Sequence, residues 1–532
     1  MKLFQKHASL ALSAGVIALA GGCNPDLEVT NPNAPNVERA IATPGDVRQL
    51  IGSSYNSWYL GMQSACCNTG DAEPDPGLMT AIMADNMTGT YGNFGMRFNN
   101  QEPRLAYNNS SAAQDGKAAS MPYENMYSAL GAANDALGAI NRGVRVAVNK
   151  TAPDETPQMK AFAILVQGLT LGFESLVFDK GFVVDEDTPL GSATLEPYST
   201  VSAAAVAKFE KAIAEATGKS WTIPIEYTPG MTLTAGNFIR MANTMAARQL
   251  AYTPRTPEEN AQVNWTKVLA FANEGISTGS APFDLQAQGD GGNVWYDLLK
   301  GYAELESWVR ADQRIIQLAD PSQPRVFTST TPPPMANIAD ARFAKGTPDA
   351  SGNIKTHGAD FWFYNNIPWD PARGVYMFSQ WGHARYIDYG YEVDAPFLGV
   401  APFVLQAEND LLIAEALVRT GGDKARAATL INKTRVGRGH LPALSAGSST
   451  NDLLAAIFYE RDIELWDTGA GQPWFDRRRI DKNLTYNGIA IGAGLQPGTP
   501  RHLPVPAAEL ETLGIPVYTY GGSSPNPVFP EK

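Results

Sequence analysis

The pattern of apolar and polar positions predicts two blocks of helices separated by a long region without regular periodicity. In the first block, helical patterns cover 43–60, 77–87, 122–142, 157–178, 201–217, 235–252 and 258–277. In the second block they cover 403–420, 423–436 and 451–466. Short connections between helices favour antiparallel neighbours. The chain is therefore predicted to be mainly α, a tetratricopeptide-like stack of helical hairpins forming an α-α superhelix.

Residues at helix ends and on helix faces support this prediction. Thr43 precedes Pro44, as expected of an N-cap followed by proline at the first helical position. Asp423, which follows two glycines, is an N-cap of the same kind. The helix over 122–142 carries a face of small residues, which permits close packing of neighbouring helices.

The region over 281–402 is predicted to be irregular. Glycine, proline, aspartate and aromatic residues dominate it, and helical periodicity persists only over 296–303 and 312–318. The segment over 88–114 is a second long loop, and 488–532 is predicted to be coil. Loops of this length in a compact protein are usually functional.

The helix predicted over 157–178 is apolar enough to raise the question of a membrane span. Its residues 161–178 contain a single charge. Gln167, Thr170 and Glu174 nevertheless form a polar stripe on one helix face, which is typical of a helix packed between other helices. We expect a core helix.

The N-terminus predicts export and lipid anchoring. Lys2 and Lys6 precede an uncharged run over 8–20, and Gly21-Gly22-Cys23 follows, which is the arrangement of a secretion signal. The run is too short for a spanning helix. Residues 19–23 resemble a bacterial lipobox, so we expect Cys23 to be lipidated. A cleaved signal in which this cysteine is incidental is the alternative.

The composition is that of a globular protein and excludes one class of partner. Hydrophobic residues make up 44% of the 532 residues and charged residues 18%. The net charge is −13, and it becomes −15 without the two lysines of the signal. An acidic surface repels phosphate backbones, so no nucleic acid partner is expected.

The cysteines leave three interpretations open. Cys66 and Cys67 are the remaining cysteines, and they are consistent with buried thiols, a vicinal disulfide, or a metal or redox site. Five histidines and no CxxC motif make the metal interpretation weak. We expect no metal and no cofactor.

Aromatic residues in the loops are the candidate ligand-binding groups. Their flat apolar faces and polar rims suit stacking on a sugar ring or on a hydrophobic nutrient. The alternative is that most of these rings pin the loops to the helices. The candidate binding residues are Tyr91, Asn93, Phe94, Trp295, Trp308, Trp362, Tyr364, Trp369, Arg373 and Trp381.

The sequence offers no catalytic constellation. Glu408 and Glu415 share a helix face at i, i+7, which separates their backbones by about 10 Å, whereas the paired carboxyls of glycosidases are closer. A structural role, pairing with Arg435 or another arginine, is the better interpretation. No GxSxG, HExxH or P-loop motif is present. We expect no catalytic residue and no enzyme.

Several motifs resemble the SusD/RagB family of outer-membrane nutrient-binding lipoproteins. The lipidated cysteine is followed by a tether containing Leu-x-Val-x-Asn-Pro-Asn (27–33). The other segments that carry the resemblance are SWVRADQRI (307–315), RGVYMFSQWGHAR (373–385), QAENDLLIAEA (406–416), AATLINKTR (427–435), ERDIEL (460–465), WFDRRR (474–479) and LPVPAAEL (503–510). The link TGAGQP (468–473) and the missing terminal Gln-Asn-Pro-Gly depart from the family pattern, which indicates a divergent member.

The resemblance implies an organisation and a function. It implies four helical hairpins, an irregular region that holds the binding site, and a partner, a TonB-dependent (SusC-like) outer-membrane transporter. The predicted divisions are a signal peptide (1–22), a lipidated cysteine and tether (23–42), an N-terminal helical-repeat region (43–280), an irregular aromatic-rich region (281–402) and a C-terminal helical region with a coil tail (403–532).

The leading hypothesis is a lipid-anchored, cell-surface protein of the outer membrane that binds an oligosaccharide or other nutrient and delivers it to the transporter. A helical-repeat scaffold that binds protein or peptide is the alternative. A surface hydrolase has the least support.

Overall fold

The computed structural model describes residues 43–63, 75–89, 96–100, 104–113, 117–189, 191–326, 331–368, 377–389, 397–491 and 494–522. The predicted signal peptide and the whole of the predicted tether lie outside these residues. So do Cys23, Cys66, Cys67, Tyr91, Asn93, Phe94, Trp369 and Arg373.

The first block of helices matches the predicted one closely. Its helices are α1 (Pro44–Gln63), α2 (Pro76–Met83), α3 (Met96–Asn100), α4 (Lys117–Asn141), α5 (Thr156–Val177), α6 (Tyr198–Ala216), α7 (Ala235–Tyr252), α8 (Pro257–Asn260) and α9 (Trp265–Asn273). Thr43 caps α1 as predicted: its hydroxyl accepts from the Asp46 amide at 3.3 Å, and its own amide donates to the Asp46 carboxylate at 3.1 Å.

The second block lies at the C-terminal end of the chain. Its helices are α12 (Gln406–Arg419), α13 (Lys424–Arg435), α14 (Thr450–Glu464), α15 (Gln472–Arg477) and α16 (Ala507–Thr512). Asp423 caps α13 by accepting from the Arg426 amide at 3.0 Å. Ser449 and Asp452 cap α14 reciprocally.

Short elements interrupt the irregular region between the blocks. The helices there are α10 (Leu298–Ala303) and α11 (Gln313–Ala319). Two-stranded antiparallel ribbons join β1 (Met87–Thr88) to β5 (Arg310–Ala311), β4 (Leu285–Asp290) to β8 (Leu398–Val404), and β6 (Phe361–Phe363) to β7 (Trp381–His383). The remaining ribbons join β2 (Lys180–Phe182) to β3 (Leu195–Pro197) and β9 (Thr485–Tyr486) to β10 (Ile489–Ala490).

Within the described residues, the long helices form four successive pairs. α1 packs on α4, α5 on α6, α7 on α9, and α12 on α13, while α4–α5, α6–α7 and α9–α12 contacts join one pair to the next. The approach of α5 to α6 depends on glycine, because a Cβ atom on Gly168 would lie 2.8 Å from the Phe209 ring. The predicted mainly α, tetratricopeptide-like stack is confirmed.

α5 is the one described helix long and apolar enough to cross a membrane, and it lies in the core. In its most apolar stretch of 18 residues, 94% of the residues are buried inside the protein. Gln167 donates to Asn134 and Glu186, each at 2.7 Å, and the Thr170 hydroxyl donates to the Val166 carbonyl at 2.9 Å. Most of the polar stripe is therefore satisfied within the protein, as expected of a core helix.

Several predicted boundaries were wrong. The helix predicted over 77–87 ends at Met83. The helix predicted over 258–277 is divided into α8 and α9, because Asn264 accepts from the Lys267 amide and starts a new helix. α3 lies in the predicted loop over 88–114 and α16 in the predicted coil, while the pattern did not indicate α15. These missed helices have five or six residues, too few to establish a periodicity.

Candidate functional site

Three of the predicted ligand-binding aromatics lie inside the protein. Trp295 is 7% exposed and packs against Tyr55 and Tyr59 of α1, with ring centroids 6.1 and 5.4 Å apart. Trp381 is 4% exposed and packs against Phe343 and Phe363. Tyr364 is 2% exposed. In this conformation no wide face of these rings is open to a ligand.

Two other predicted aromatics, Trp308 and Trp362, keep part of their surface exposed. Trp362 occupies the centre of β6, where the alternation of a strand turns Phe361 and Phe363 inward and leaves the indole at the surface. Its Nε1 donates to the Thr356 carbonyl at 3.1 Å, which fixes the orientation of the ring. Trp308 packs on Tyr302 with ring centroids 5.0 Å apart.

Cationic and amide groups surround Trp362 and Tyr364. The Lys355 ammonium lies 5.8 Å from the Trp362 centroid and 5.0 Å from the Tyr364 centroid. The Arg310 guanidinium lies 4.4 Å from the Tyr364 centroid and donates to the Asn366 side chain at 2.9 Å. We call the group formed by Lys355, Trp362 and Asn366, with Arg310 and Tyr364 buried beneath them, the loop face.

Arg310 is the buried cation of the loop face. It is 1% exposed, and its Nε donates to the Glu306 carbonyl at 2.5 Å. Its Nη1 has no hydrogen-bond partner among the described residues. Burial lowers the pKa of Arg310 to about 10, against the smaller opposing effect of Tyr364. The guanidinium is therefore a desolvated donor with unused hydrogen-bonding capacity.

The loop face can bind a polyhydroxylated ligand by two kinds of contact. The partly exposed indole of Trp362 offers an apolar surface for the C–H face of a sugar ring. The exposed side chains of Lys355, Asn365 and Asn366 offer donors and acceptors for hydroxyl groups. The buried Tyr364 holds the two cations in place and leaves the surface contact to Trp362.

A groove between helices is a second concave feature of the described residues. It measures about 510 Å³ and lies between α6, α7 and the segment containing α8 and α9. Val206, Leu250 and Val263 form apolar parts of its wall. Glu210 and Lys267 pair across it at 2.9 Å. Its volume falls in the range of small-molecule sites.

Glu408 and Glu415 form buried ion pairs, as the sequence predicted. Arg248 donates to Glu408 at 2.6 Å, while Glu415 is held by Arg461 at 2.6 Å and Arg479 at 2.8 Å. Arg435, the one arginine that the prediction named, donates instead to the Pro442 carbonyl and the Tyr486 hydroxyl. Arg435 was therefore the wrong choice among the arginines.

Sequence reasoning missed Arg310 and Lys355 as parts of the loop face. Arg310 stands two residues after Trp308, a proximity that is visible in the sequence. Lys355 gave no comparable signal. It reaches the aromatic rings because Ile354 bridges to Phe363 across a turn, which is a contact between segments that periodicity does not reveal.

The fold as a whole resembles solved structures of SusD-type proteins. A SusD superfamily protein from Parabacteroides distasonis aligns over 88% of this chain and 96% of its own, with a TM-score of 0.58 and 12% identity. Surface glycan-binding protein A from Bacteroides uniformis aligns over 88% and 97%, with a TM-score of 0.56 and 14% identity. A SusD-like carbohydrate binding protein from Bacteroides vulgatus aligns over 82% and 83%, with a TM-score of 0.52 and 13% identity.

The sequence match to a family is concentrated in the C-terminal helices. Residues 407–497 match the model of the SusD family. No curated protein sequence matches the chain significantly. Residues 407–497 are therefore a SusD family region, and the fold as a whole is similar to that of SusD-type structures.

Proposed function

We propose that this protein binds an oligosaccharide at the cell surface through the loop face. The observation that carries the proposal is the partly exposed Trp362, which is oriented by its hydrogen bond to Thr356 and lies beside Lys355. A fixed aromatic ring next to flexible polar groups is the common arrangement of a carbohydrate subsite. The glycan-binding and carbohydrate-binding proteins that share its fold support the same ligand class.

Titration calorimetry against a panel of oligosaccharides tests this proposal. With the chain that begins after Cys23, we expect Trp362→Ala to weaken binding of the recognised glycan by about tenfold, or about 1.4 kcal/mol. The melting temperature should change little, because the ring is already partly exposed.

Trp381→Ala is the matched control, since it removes the same side chain from the core beneath β6. We expect it to cost about 3–5 kcal/mol of folding free energy and to lower the melting temperature. Unchanged glycan affinity in Trp362→Ala would contradict the role of the loop face.

We further propose that Cys23 carries a lipid that anchors the protein to the outer membrane, beside a TonB-dependent transporter that receives the glycan. The lipobox-like residues 19–23 and the SusD family region support this arrangement. Wild type should co-purify with the transporter in the membrane fraction, whereas Cys23→Ser should be released. Equal membrane retention of the two forms would contradict the anchor.

The groove between α6, α7 and α9 supports the alternative function, a scaffold that binds peptide. Its apolar wall and polar rim could accept a short segment of another protein. If the glycan panel shows no binding, substitution of Leu250 by lysine in a peptide-capture assay tests this alternative. A loss of captured peptide would favour the scaffold function.

A further inference from the structure

Beneath the loop face, three side chains with metal-binding atoms meet in the interior. Glu304 follows α10, His383 ends β7, and Asp467 follows α14, and they are 2%, 1% and 4% exposed. One nitrogen or oxygen atom of each lies within 4.8 Å of such an atom on each of the other two. The loop region and the C-terminal helical region both contribute to this cluster, which we call the buried centre.

The two carboxyl groups of the buried centre are in direct contact. The Glu304 and Asp467 side chains lie within hydrogen-bonding distance of each other. No N–H or hydroxyl group of the described residues donates to either oxygen of Asp467 or to Oε2 of Glu304. Two carboxylates repel each other in a medium of low polarity, so a proton or a cation must lie between them.

Negative groups outnumber positive groups around this contact. Asp75 and Asp297, both fully buried, are close enough to Asp467 to interact with it electrostatically. Lys300 is the buried cation beside them, and its ammonium donates to the Asp297 carboxylate at 3.2 Å and to the Asp467 carbonyl at 2.7 Å. One ammonium balances one of the four carboxyls, and burying the others as unpaired charges would be costly.

The nearby arginines are already paired with other carboxylates. Arg385 donates to Glu464 at 3.2 Å, and Arg438 pairs with Asp360 at 2.5 Å and with Glu464 at 3.2 Å. Their charges therefore do not neutralise the Glu304–Asp467 contact. A compensating positive charge must come from protons or from a bound ion.

The surroundings of His383 favour a bound ion over a proton as the source of the compensating positive charge. Its Nδ1 lies 2.5 Å from Glu304 Oε1, which is the separation of a hydrogen bond, while its Nε2 has no partner among the described residues. Its ring is enclosed by Phe361, Tyr386 and Trp466. An imidazole nitrogen held directly beside two buried carboxyl groups is a donor set that a transition-metal ion uses.

The backbone at Asp467 is a further sign of a constrained site. Asp467 has φ = 58°, in the left-handed region that costs a non-glycine residue energy. Such conformations cluster at ligand-binding positions, where the surrounding structure maintains them. Here the conformation accompanies the placement of a carboxylate against Glu304.

We propose that Glu304, His383 and Asp467 bind a divalent cation of the zinc class. One imidazole nitrogen with carboxylate oxygens is a donor set that suits such an ion. Ligands on one tetrahedral zinc ion lie about 3.4 Å apart. The closer Glu304–His383 contact therefore opens by about 1 Å if both atoms bind the ion directly.

The ion would connect the ligand-binding loops to the helical body. His383 pairs with Phe361 across the β6–β7 ribbon, and Trp362 is the next residue on β6. A single ion would therefore join β7 to the ends of α10 and α14. This role does not depend on the identity of the ligand at the loop face. The cation site can therefore be tested separately from glycan binding.

Zinc titration of the purified full chain after chelator treatment tests the proposal. We expect one zinc ion per chain, a higher melting temperature with zinc, and a cobalt-substituted form with the visible absorption of a site of low coordination number. Asp467→Asn and Glu304→Gln keep the side-chain shapes and should weaken zinc binding at least tenfold. His357→Gln, which removes an exposed histidine of the same region, should bind zinc as wild type does.

Two results would overturn the proposal. One is a wild-type chain that takes up no zinc or cobalt at micromolar concentrations. The other is unchanged zinc affinity in both folded variants, which would leave a proton in the contact between the carboxyls. If neither variant folds, the cobalt spectrum and the zinc-dependent melting temperature of wild type decide the question, since they require no substitution.

Discussion

Two buried glutamates show how differently the two helical regions are stabilised. Glu415 lies on α12 in the C-terminal region, and Glu174 lies on α5 in the N-terminal region, with 0% and 1% of their surface exposed. Arg479, Arg461 and Arg419 each donate to Glu415. Neither carboxyl oxygen of Glu174 has a hydrogen-bond partner among the described residues.

The surroundings shift the two pKa values in opposite directions. Burial alone would raise the pKa of Glu415, but the three arginines outweigh it and hold the pKa well below its ordinary value. Burial raises the pKa of Glu174 well above its ordinary value, with no opposing charge. The arginines therefore favour the charged form of Glu415, whereas burial favours the neutral form of Glu174.

This difference explains where the family can be recognised in the sequence. The charge network of Glu415, Arg461, Asp476 and Arg479 lies entirely within residues 407–497, which match the SusD family model. A network of buried charges requires given residue types at given positions. The N-terminal helices pack through apolar and small residues, which tolerate exchange.

The largest effect is expected from breaking the charge network. Arg479 is fully buried and donates to Glu415 at 2.8 and 3.0 Å and to Asn260 at 3.0 Å. Arg479→Met leaves a buried carboxylate with less compensation, and we expect a loss of about 3–5 kcal/mol in the free energy of unfolding. Denaturant unfolding followed by circular dichroism measures it.

Lys482→Met is the control for this experiment. Lys482 pairs with Glu258 at 2.9 Å, but both side chains are more than two-thirds exposed. Exposed pairs contribute little, so no measurable change is expected. Equal effects of the two substitutions would contradict the distinction between the buried network and the surface.

A smaller effect is expected from removing the two central charges together. Arg479→Met combined with Glu415→Leu replaces a buried pair by apolar groups of similar size, which is often close to neutral. We expect the double variant to lose about 2 kcal/mol less stability than the sum of the losses in the two single variants. Strict additivity in the unfolding free energies would show that the two residues do not act as a pair.

Comparison of sequence and structure shows why local signals succeeded and distant contacts did not. Thr43 and Asp423 were predicted as N-caps because a cap depends on residues within one helical turn. The partners of Glu415 are 46 and 64 residues away, so periodicity could not distinguish Arg461 and Arg479 from Arg435. The family motifs that contain arginine indicated the C-terminal region, but they did not specify which arginine pairs with Glu415.

The same limit applies to the loop face. Aromatic composition identified the loops, but it could not distinguish the buried Trp381 from the partly exposed Trp362. That distinction follows from the β6–β7 pairing, in which Phe363 lies opposite Trp381 and Trp362 lies opposite Gly382. A register between distant segments is a property of the tertiary structure, and β6 and β7, with three residues each, are too short for their alternation to predict it.

The smallest effect is expected at Glu174, and its dependence on pH tests the contrast with Glu415. The unfolded chain releases the Glu174 proton above about pH 4.5, whereas the folded protein retains it because its pKa is raised. Between these two pKa values the folded state binds more protons, so this group's contribution to stability decreases as pH rises. For Glu415 the sign is reversed, and its contribution is lost as pH falls below about 4.5.

Glu174→Gln removes the ionisation while preserving the shape of the neutral side chain. At pH 5 we expect the variant to differ from wild type by less than about 1 kcal/mol. Its melting temperature should exceed that of wild type by a margin that grows as pH rises above about 4.5. Glu124→Gln, an exposed substitution on α4 near the same site, should give a curve parallel to that of wild type.

A parallel curve for Glu174→Gln would mean that the carboxyl is already ionised in the folded protein. A cation or donor beyond the described contacts would then have to stabilise it, and the two glutamates would not differ in kind.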